Sequence, residues 1–350
     1  MIVLGIESSC DETAVAIVRN GHEVLSSIVA SQIDVHKVFG GVVPEVAARE
    51  HLKAIQPLFT QVMAESQLSP EEIDLIGVTQ GPGLIGALLV GVSFAKGLAT
   101  YLSKPLMPVD HVHAHVHGAL LGLDQDLDKD QIFPCLSLVA SGGHTNLYYM
   151  EAPTKFELLA STLDDACGEC FDKVAKILGL PYPGGPRIES LARNGNPSSI
   201  PMPTMVSEKQ KMMFSYSGLK THVINFIDKH GPLSDSMRAD LCASFQEEAL
   251  GQLLRKIRRA IQIKNNVKAL LVAGGVAANK RFRELVNSEL KIESFFPKLT
   301  YCADNAAMIA ALAWHEYNIY GDDHELLMNH DWDAYSRYRF EKVIPQAHSK

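Results

Sequence analysis

Leu136-Ser-Leu-Val-Ala-Ser-Gly-Gly-His-Thr-Asn-Leu-Tyr-Tyr149 decides how this chain folds, because it is the second appearance of a pattern that opens the sequence. Leu136 to Ala140 reads as a buried strand, Ser141-Gly142-Gly143-His144 as a turn and Thr145 to Tyr149 as the returning strand. At the N-terminus, Ile2 to Ile6 runs into Glu7-Ser8-Ser9-Cys10-Asp11-Glu12 and then into the strand Thr13 to Val18. Ser9 and Thr13 stand at the positions of Ser141 and Thr145 under one constant offset. Third strands follow in both places, Glu23 to Ile28 after the Asn20-Gly21 turn and a partner near Phe156 to Ala160.

The echo continues outward. After the first meander, apolar residues at helical spacing predict a helix from Pro44 to Glu65, a strand from Ile73 to Thr79, an apolar helix from Leu84 to Tyr101 and a strand from Leu106 to Val109. After the second come a helix from Ala166 to Leu178, a strand from Ala269 to Ala273, the turn Gly274-Gly275, a helix from Ala278 to Leu290, a strand near Thr300 and a last helix opened by Asp304. The expectation is an α/β protein made of two βββαβαβα lobes, 1–127 and 128–320, with a polar tail at 321–350. Asp124 to Asp130 serves as the hinge. A helical insertion at about 187–265 interrupts the second lobe and has no counterpart in the first.

The chain has 350 residues, of which 47% are apolar, enough for two cores. No apolar run reaches membrane-spanning length without polar interruption, and Met1-Ile-Val-Leu-Gly-Ile-Glu7 lacks the basic segment of a signal peptide, so a cytoplasmic protein is expected. Six scattered cysteines read as reduced thiols, and Cys167-Gly-Glu-Cys170 lacks the second pair of a structural zinc site. A net charge of −8 disfavours unaided, nonspecific binding of nucleic acid while leaving room for a local basic patch. Arg255, Lys256, Arg258 and Arg259 form the densest such cluster, either a solvated helix face or a contact for nucleic acid.

Pro108-Val-Asp-His-Val-His-Ala-His-Val-His117 carries the chemistry. As a helix capped by Asp110 it sets His111 and His115 one turn apart on one face and His113 and His117 about 200° away. Imidazoles at this spacing can chelate one divalent ion, or can simply be capping and surface residues. The duplication supplies a third ligand, because Asp304 opens the helix that answers the histidine helix, and matching strand ends of facing lobes are expected to meet across a cleft. Alone, Asp304 reads equally as an N-cap. Two histidines and a carboxylate leave coordination positions open, which suits Fe(II) or Zn(II). Ser8 and Ser9 in one turn, and Ser141, Gly142 and Gly143 in the other, are candidate phosphate contacts, with Gly274-Gly275 near Asn279 a possible nucleoside pocket. Neither a Gly-x-x-x-x-Gly-Lys-Ser/Thr loop nor a Rossmann fingerprint is present.

Gly5-Ile-Glu-Ser-Ser-Cys-Asp-Glu-Thr13, His111-x-x-x-His115, Ser141-Gly-Gly-His-Thr145, Phe171-Asp-Lys-Val-Ala-Lys176, Tyr182-Pro-Gly-Gly-Pro186, Phe214-Ser-Tyr-Ser-Gly-Leu-Lys-Thr221, Ala273-Gly-Gly-Val-Ala-Ala-Asn279 and Asp304-Asn305 together resemble the tRNA adenosine threonylcarbamoyltransferase family. The resemblance implies the actin, sugar-kinase and heat-shock ATPase fold. It also implies transfer of a threonylcarbamoyl group from threonylcarbamoyl-AMP to the exocyclic amine of the adenosine 3′ of the anticodon, in tRNAs reading codons that begin with adenine. Carried over by motif, the metal ligands are His111, His115 and Asp304, with Fe(II) placed ahead of Zn(II). Substrate contacts fall on Val139, Ala140, Ser141, Gly142, Gly143, Asp172, Gly185 and Asn279. Glu189 stands where the family usually has Asp. Asp11 is the candidate to take the amine proton, with Glu12 the alternative. Implied partners are tRNA, an inactive paralogue forming a heterodimer and a small ATPase, without a membrane. A zinc peptidase is the competing enzyme, but residue 112 is Val and no His-Glu-x-x-His is present. An ATP-driven scaffold of the chaperone type is the other competitor.

Overall fold

In the computed structural model, which describes residues 1–121, 129–204, 212–320 and 325–337, the first meander is β1 (Ile2–Glu7), β2 (Glu12–Arg19) and β3 (Glu23–Ser31). α1 (Pro44–Ser66) leads to β4 (Leu75–Gly81), α2 (Ile85–Leu102), β5 (Leu106–Asp110) and α3 (His111–Leu120). The sheet order is β3-β2-β1-β4-β5, with β1, β4 and β5 parallel and the meander antiparallel. Every residue of β4 is buried, and its opening run Leu75-Ile-Gly-Val78 is that of a strand covered on both faces. α1 covers one side with Ala47, His51, Ile55, Leu58 and Val62, the three-to-four spacing of one helical stripe.

α2 has the length and composition to cross a membrane. Ser93 and Lys96 interrupt it, and it turns Ala87, Leu88, Val92, Ala95 and Ala99 inward onto β4 and α1, as a core helix does.

The second unit repeats the plan. β6 (Cys135–Ala140), β7 (Thr145–Ala152) and β8 (Lys155–Thr162) form its meander, followed by α4 (Cys167–Ile177). The inserted region holds α5 (Gly184–Ala192), the short β9 (Met213–Phe214), α6 (Ser217–His230) and α7 (Asp235–Ile263). β10 (Ala269–Ala273), α8 (Lys280–Glu289) and β11 (Glu293–Phe295) close the repeat. The order β11-β10-β6-β7-β8 matches β5-β4-β1-β2-β3 of the first sheet, with β9 added at the edge beside β8. The duplicated α/β reading therefore holds. The strand expected near Thr300 is corrected: Leu299–Tyr301 is a single 3-10 turn, and the strand lies earlier, at β11. Most of the proposed hinge, residues 124–128, falls outside the described residues, as does much of the tail.

The lobe boundary at residue 320 is corrected as well. The last helix, α9 (Ala306–Tyr320), packs on β1, β2, β4 and α3, so the first unit comprises Met1–Leu121 and the chain from Asp304 onward. The reason is steric. α9 enters as Ala306-Ala-Met-Ile-Ala-Ala-Leu-Ala, fully buried, and it lies so close to the sheet that a Cβ on Gly5 would stand 2.1 Å from the Ala306 carbonyl oxygen. One on Gly77 would stand 2.6 Å from the Ala313 methyl. Two strand glycines admit a small-residue helix.

Candidate metal centre

β5 feeds directly into α3, and Asp110 caps the junction, its Oδ1 accepting the His113 backbone N–H at 2.9 Å. The cap starts the helix at His111, which places His111 and His115 on one side, their rings edge to face at 4.7 Å. His113 and His117 are buried on the other side, where His117 packs against His315. At the head of α9 the capping role goes to Asn305, whose Oδ1 accepts the Met308 N–H. Asp304, one residue earlier, is left to face the histidines. Its Oδ1 lies 3.6 Å from His111 Nε2 and 3.2 Å from His115 Nε2.

Ligand atoms around a first-row divalent ion with bonds of about 2.1 Å stand roughly 3.0–3.4 Å apart; the 3.2 Å separation falls inside that range, the 3.6 Å one just outside it, and all three donors lie within 4.8 Å of one another, close enough to hold one ion. His115 Nε2, the nitrogen beside Asp304, is buried without a hydrogen bond, which ligation of an ion explains. Among the described residues this is the one group of three or more His, Cys, Asp or Glu side chains with donor atoms close enough to hold an ion. All three belong to the first unit. The expectation that Asp304 arrives from the opposite lobe is corrected by the same packing of α9.

Glu7 completes the centre, and sequence reasoning passed it over. Fully buried at the end of β1, its Oε2 accepts from His111 Nδ1 at 2.9 Å and from the Thr79 hydroxyl at 2.6 Å, while Oε1 accepts the Ser9 N–H at 2.5 Å. Burial pushes the Glu7 carboxyl up, but attraction to and hydrogen bonding with His111 overcome it and hold the group below its ordinary range. For His111, burial acts downward and is outweighed by the Glu7 and Asp304 carboxylates, which raise it to about 10 in the ion-free protein. A carboxylate behind Nδ1 fixes the proton there and turns Nε2 toward the ion position. The available signal was a charged residue closing an otherwise apolar strand.

Ser8 and Ser9 are corrected as phosphate contacts. Ser8 is buried and donates to the Ala87 carbonyl. Ser9 is buried against the centre, its Oγ 3.2 Å from His111 Nδ1. Asp11 and Glu12 sit beside this turn, and a hydrogen bond joins their carboxyls. Burial, then Asp304 and Asp11, push Glu12 up to about 9.

In the second unit the residues expected to contact substrate form one connected group. Val139 and Ala140 end β6 beside Ala273 of β10 and are buried, presenting backbone only. Gly142 and Gly143 are exposed, with open space where side chains would be. Ser141 accepts the Gly168 N–H through its carbonyl, bringing the start of α4 to the turn. Asp172 of α4 accepts the Gly184 N–H at 2.7 Å, setting the start of α5, on which Gly185 also lies open. Glu189 of α5 accepts the Lys280 N–H at 3.2 Å, and Asn279 caps α8 while donating to Gln246 at 3.0 Å. Strand ends and helix N-termini thus gather on one side, where backbone N–H groups suit a phosphorylated ligand. The basic cluster is largely engaged: Arg255 pairs with Glu248, Arg258 with Glu289, and Lys256 is buried.

The model of the tRNA N6-adenosine threonylcarbamoyltransferase family matches residues 23–311. The chain belongs to the tRNA N6-adenosine threonylcarbamoyltransferase family. The threonylcarbamoyltransferase of Symbiobacterium thermophilum is 46% identical over 94% of this chain and 95% of its own length. That of Clostridium kluyveri is 47% identical over 90% and 92%. This places the chain among transferases that modify tRNA. Solved structures show the actin-like fold at low identity. Component A of the (R)-2-hydroxyglutaryl-CoA dehydratase of Acidaminococcus fermentans superposes with a TM-score of 0.53 at 16% identity, covering 91% of this chain and 99% of that one. HypF of T. kodakarensis superposes with 0.58 at 15%, covering 94% and 49%.

Proposed function

We propose that this threonylcarbamoyltransferase moves the threonylcarbamoyl group of threonylcarbamoyl-AMP onto the exocyclic amine of the adenosine 3′ of the anticodon, in tRNAs reading ANN codons, with release of AMP. The observation that carries the reading is the trio of two buried histidines, His111 and His115, with the half-buried Asp304, backed by Glu7. His111, His115 and Asp304 would hold a divalent ion, iron(II) ahead of zinc(II), which when bound would supply positive charge for the phosphate of the leaving group. The new bond joins the adenosine nitrogen to the carbamoyl carbon, the bond from that carbon to the phosphate oxygen breaks, and the amine loses a proton. Asp11, in the turn that follows β1, takes it. On the second unit, Ser141 to Gly143, Asp172, Gly185, Glu189 and Asn279 are assigned to the adenylate, with backbone N–H groups as the phosphate donors.

The proposal extends to a cytoplasmic setting, an inactive paralogue as heterodimer partner and a small ATPase. Val112, buried between the two histidines, supports transfer over peptide hydrolysis, since no general base stands between the ligands. Incubation of the protein and these partners with threonylcarbamoyl-AMP and tRNA, followed by nucleoside mass analysis, should show the modified adenosine and equimolar AMP. AMP release without modified nucleoside, or peptide cleavage instead, would refute the proposal. Asp11→Asn with its ion retained should lose at least about 100-fold in transfer rate, the usual span of a general base.

A further inference from the structure

Beyond the family match, which ends at residue 311, residues 330–335 run as a strap across the first unit. Trp332 and Ala334 pack against its apolar core, and Lys96 of α2 both donates to the Trp332 carbonyl and places its ammonium 4.8 Å above the indole. Gln80 of β4 is clasped from two directions, its Nε2 donating to the Asp333 carbonyl at 2.9 Å and its carbonyl accepting the Tyr335 N–H at 3.1 Å. Tyr335 closes over Gly81, where a Cβ would stand 2.2 Å from the Tyr335 carbonyl oxygen. The tyrosine hydroxyl then donates to Asp110 Oδ2 at 2.9 Å.

Asp110 therefore has two tasks on two oxygens. Oδ1 caps the helix that begins at His111, and Oδ2 is held by a residue 225 positions away. Gly81 pairs with Asp110 across β4 and β5, so strap, strand end and cap meet at one junction. We infer that Tyr335 is a positioning residue for the metal centre, locking the Asp110 carboxylate so that His111 and His115 leave the start of α3 at the angle Asp304 requires. This rests on reading His111, His115 and Asp304 as ion ligands.

The test is titration of the ion-free protein with Co(II), read by its visible absorption, for wild type, Tyr335→Phe, Asp110→Asn and the double variant. Phe keeps the ring over Gly81, and Asn keeps a capping oxygen. Partners one step behind a ligand typically matter 10- to 100-fold, and Tyr335 stands one step further back, so Tyr335→Phe should weaken Co(II) binding by roughly 3- to 10-fold and shift its absorption. In the Asp110→Asn background the same change should have no further effect, since the hydroxyl acts through that carboxylate. Wild-type affinity and spectrum in Tyr335→Phe, or equal losses in both backgrounds, would overturn the role of Tyr335 while leaving the centre intact. Failure of the wild type to bind Co(II) would overturn both. Should Tyr335→Phe unfold, the comparison moves to Lys96→Met, which loosens the strap at Trp332 and should weaken Co(II) binding in the same direction; unchanged binding there would count against the inference.

Discussion

Replacing Glu7 by Gln removes one charge and nearly no volume, and the local geometry dictates the consequence. Three donors converge on the carboxylate: the Ser9 N–H, the Thr79 hydroxyl and His111 Nδ1. An amide can accept on only one side. If its oxygen faces His111 and Thr79, its NH2 meets the Ser9 N–H and a buried donor is left unmade. If its oxygen faces Ser9, the NH2 meets His111 Nδ1, which must then accept, and the ring proton moves to Nε2, the atom that faces Asp304. A protonated Nε2 cannot bind an ion. Hydrogen bonds to charged groups are worth about 1.5–3 kcal/mol, and loss of a carboxylate behind a ligating histidine lowers ion affinity about 10- to 100-fold, or about 1.4–2.8 kcal/mol. The assay is competition between the ion-free protein and a chelator of known affinity, with circular dichroism to verify the fold. A Glu7→Gln protein that stays folded and binds within twofold of wild type would falsify the account of Glu7.

Three further outcomes are expected of the same structure. His111, held at about 10 without an ion, must give up a proton to ligate, so ion affinity should rise by up to ~tenfold per pH unit from pH 6 toward 9; calorimetry in buffers of different ionisation enthalpy should show about one proton released, and a flat pH profile would contradict the assignment. Glu12, raised to about 9, favours folding in its protonated form, so the ion-free protein should lose stability as pH climbs from the unfolded carboxyl value toward 9 and level off above it. Glu12→Gln should flatten that slope in thermal melts, and an unchanged slope would place the effect elsewhere. Gly5→Ala forces a methyl into the Ala306 backbone and should cost about 3 kcal/mol or more, seen as a lower melting temperature, with ion binding impaired because Asp304 heads the displaced helix. An Ala variant that melts like wild type would mean that α9 is not seated as described.

Local pattern determined a great deal. Strand alternation, turn residues and helical spacing were enough to place both meanders, because those signals depend on neighbours a few residues away. The i, i+4 histidines and the Asp110 cap were legible for the same reason, since one helical turn fixes their relation whatever surrounds it. The long-period echo then identified the duplicated architecture and pointed to Asp304. Tertiary packing decided the rest. Which sheet receives α9 depends on Gly5 and Gly77 lying under it, a match between segments some 230 to 300 residues apart that no local window contains. Ser8 and Ser9 looked like ligands in the sequence because a polar turn looks the same whether its groups face solvent or the interior; burial against Ala87 and His111 settled it. Glu7 was invisible as a partner of His111 because hydrogen bonds across 104 positions exist only once β1 and β5 have joined the same sheet on either side of β4. Sequence named the atoms that can bind an ion, and the folded chain determined which carboxylates stand beside and behind them, because that depends on distance in space rather than along the chain.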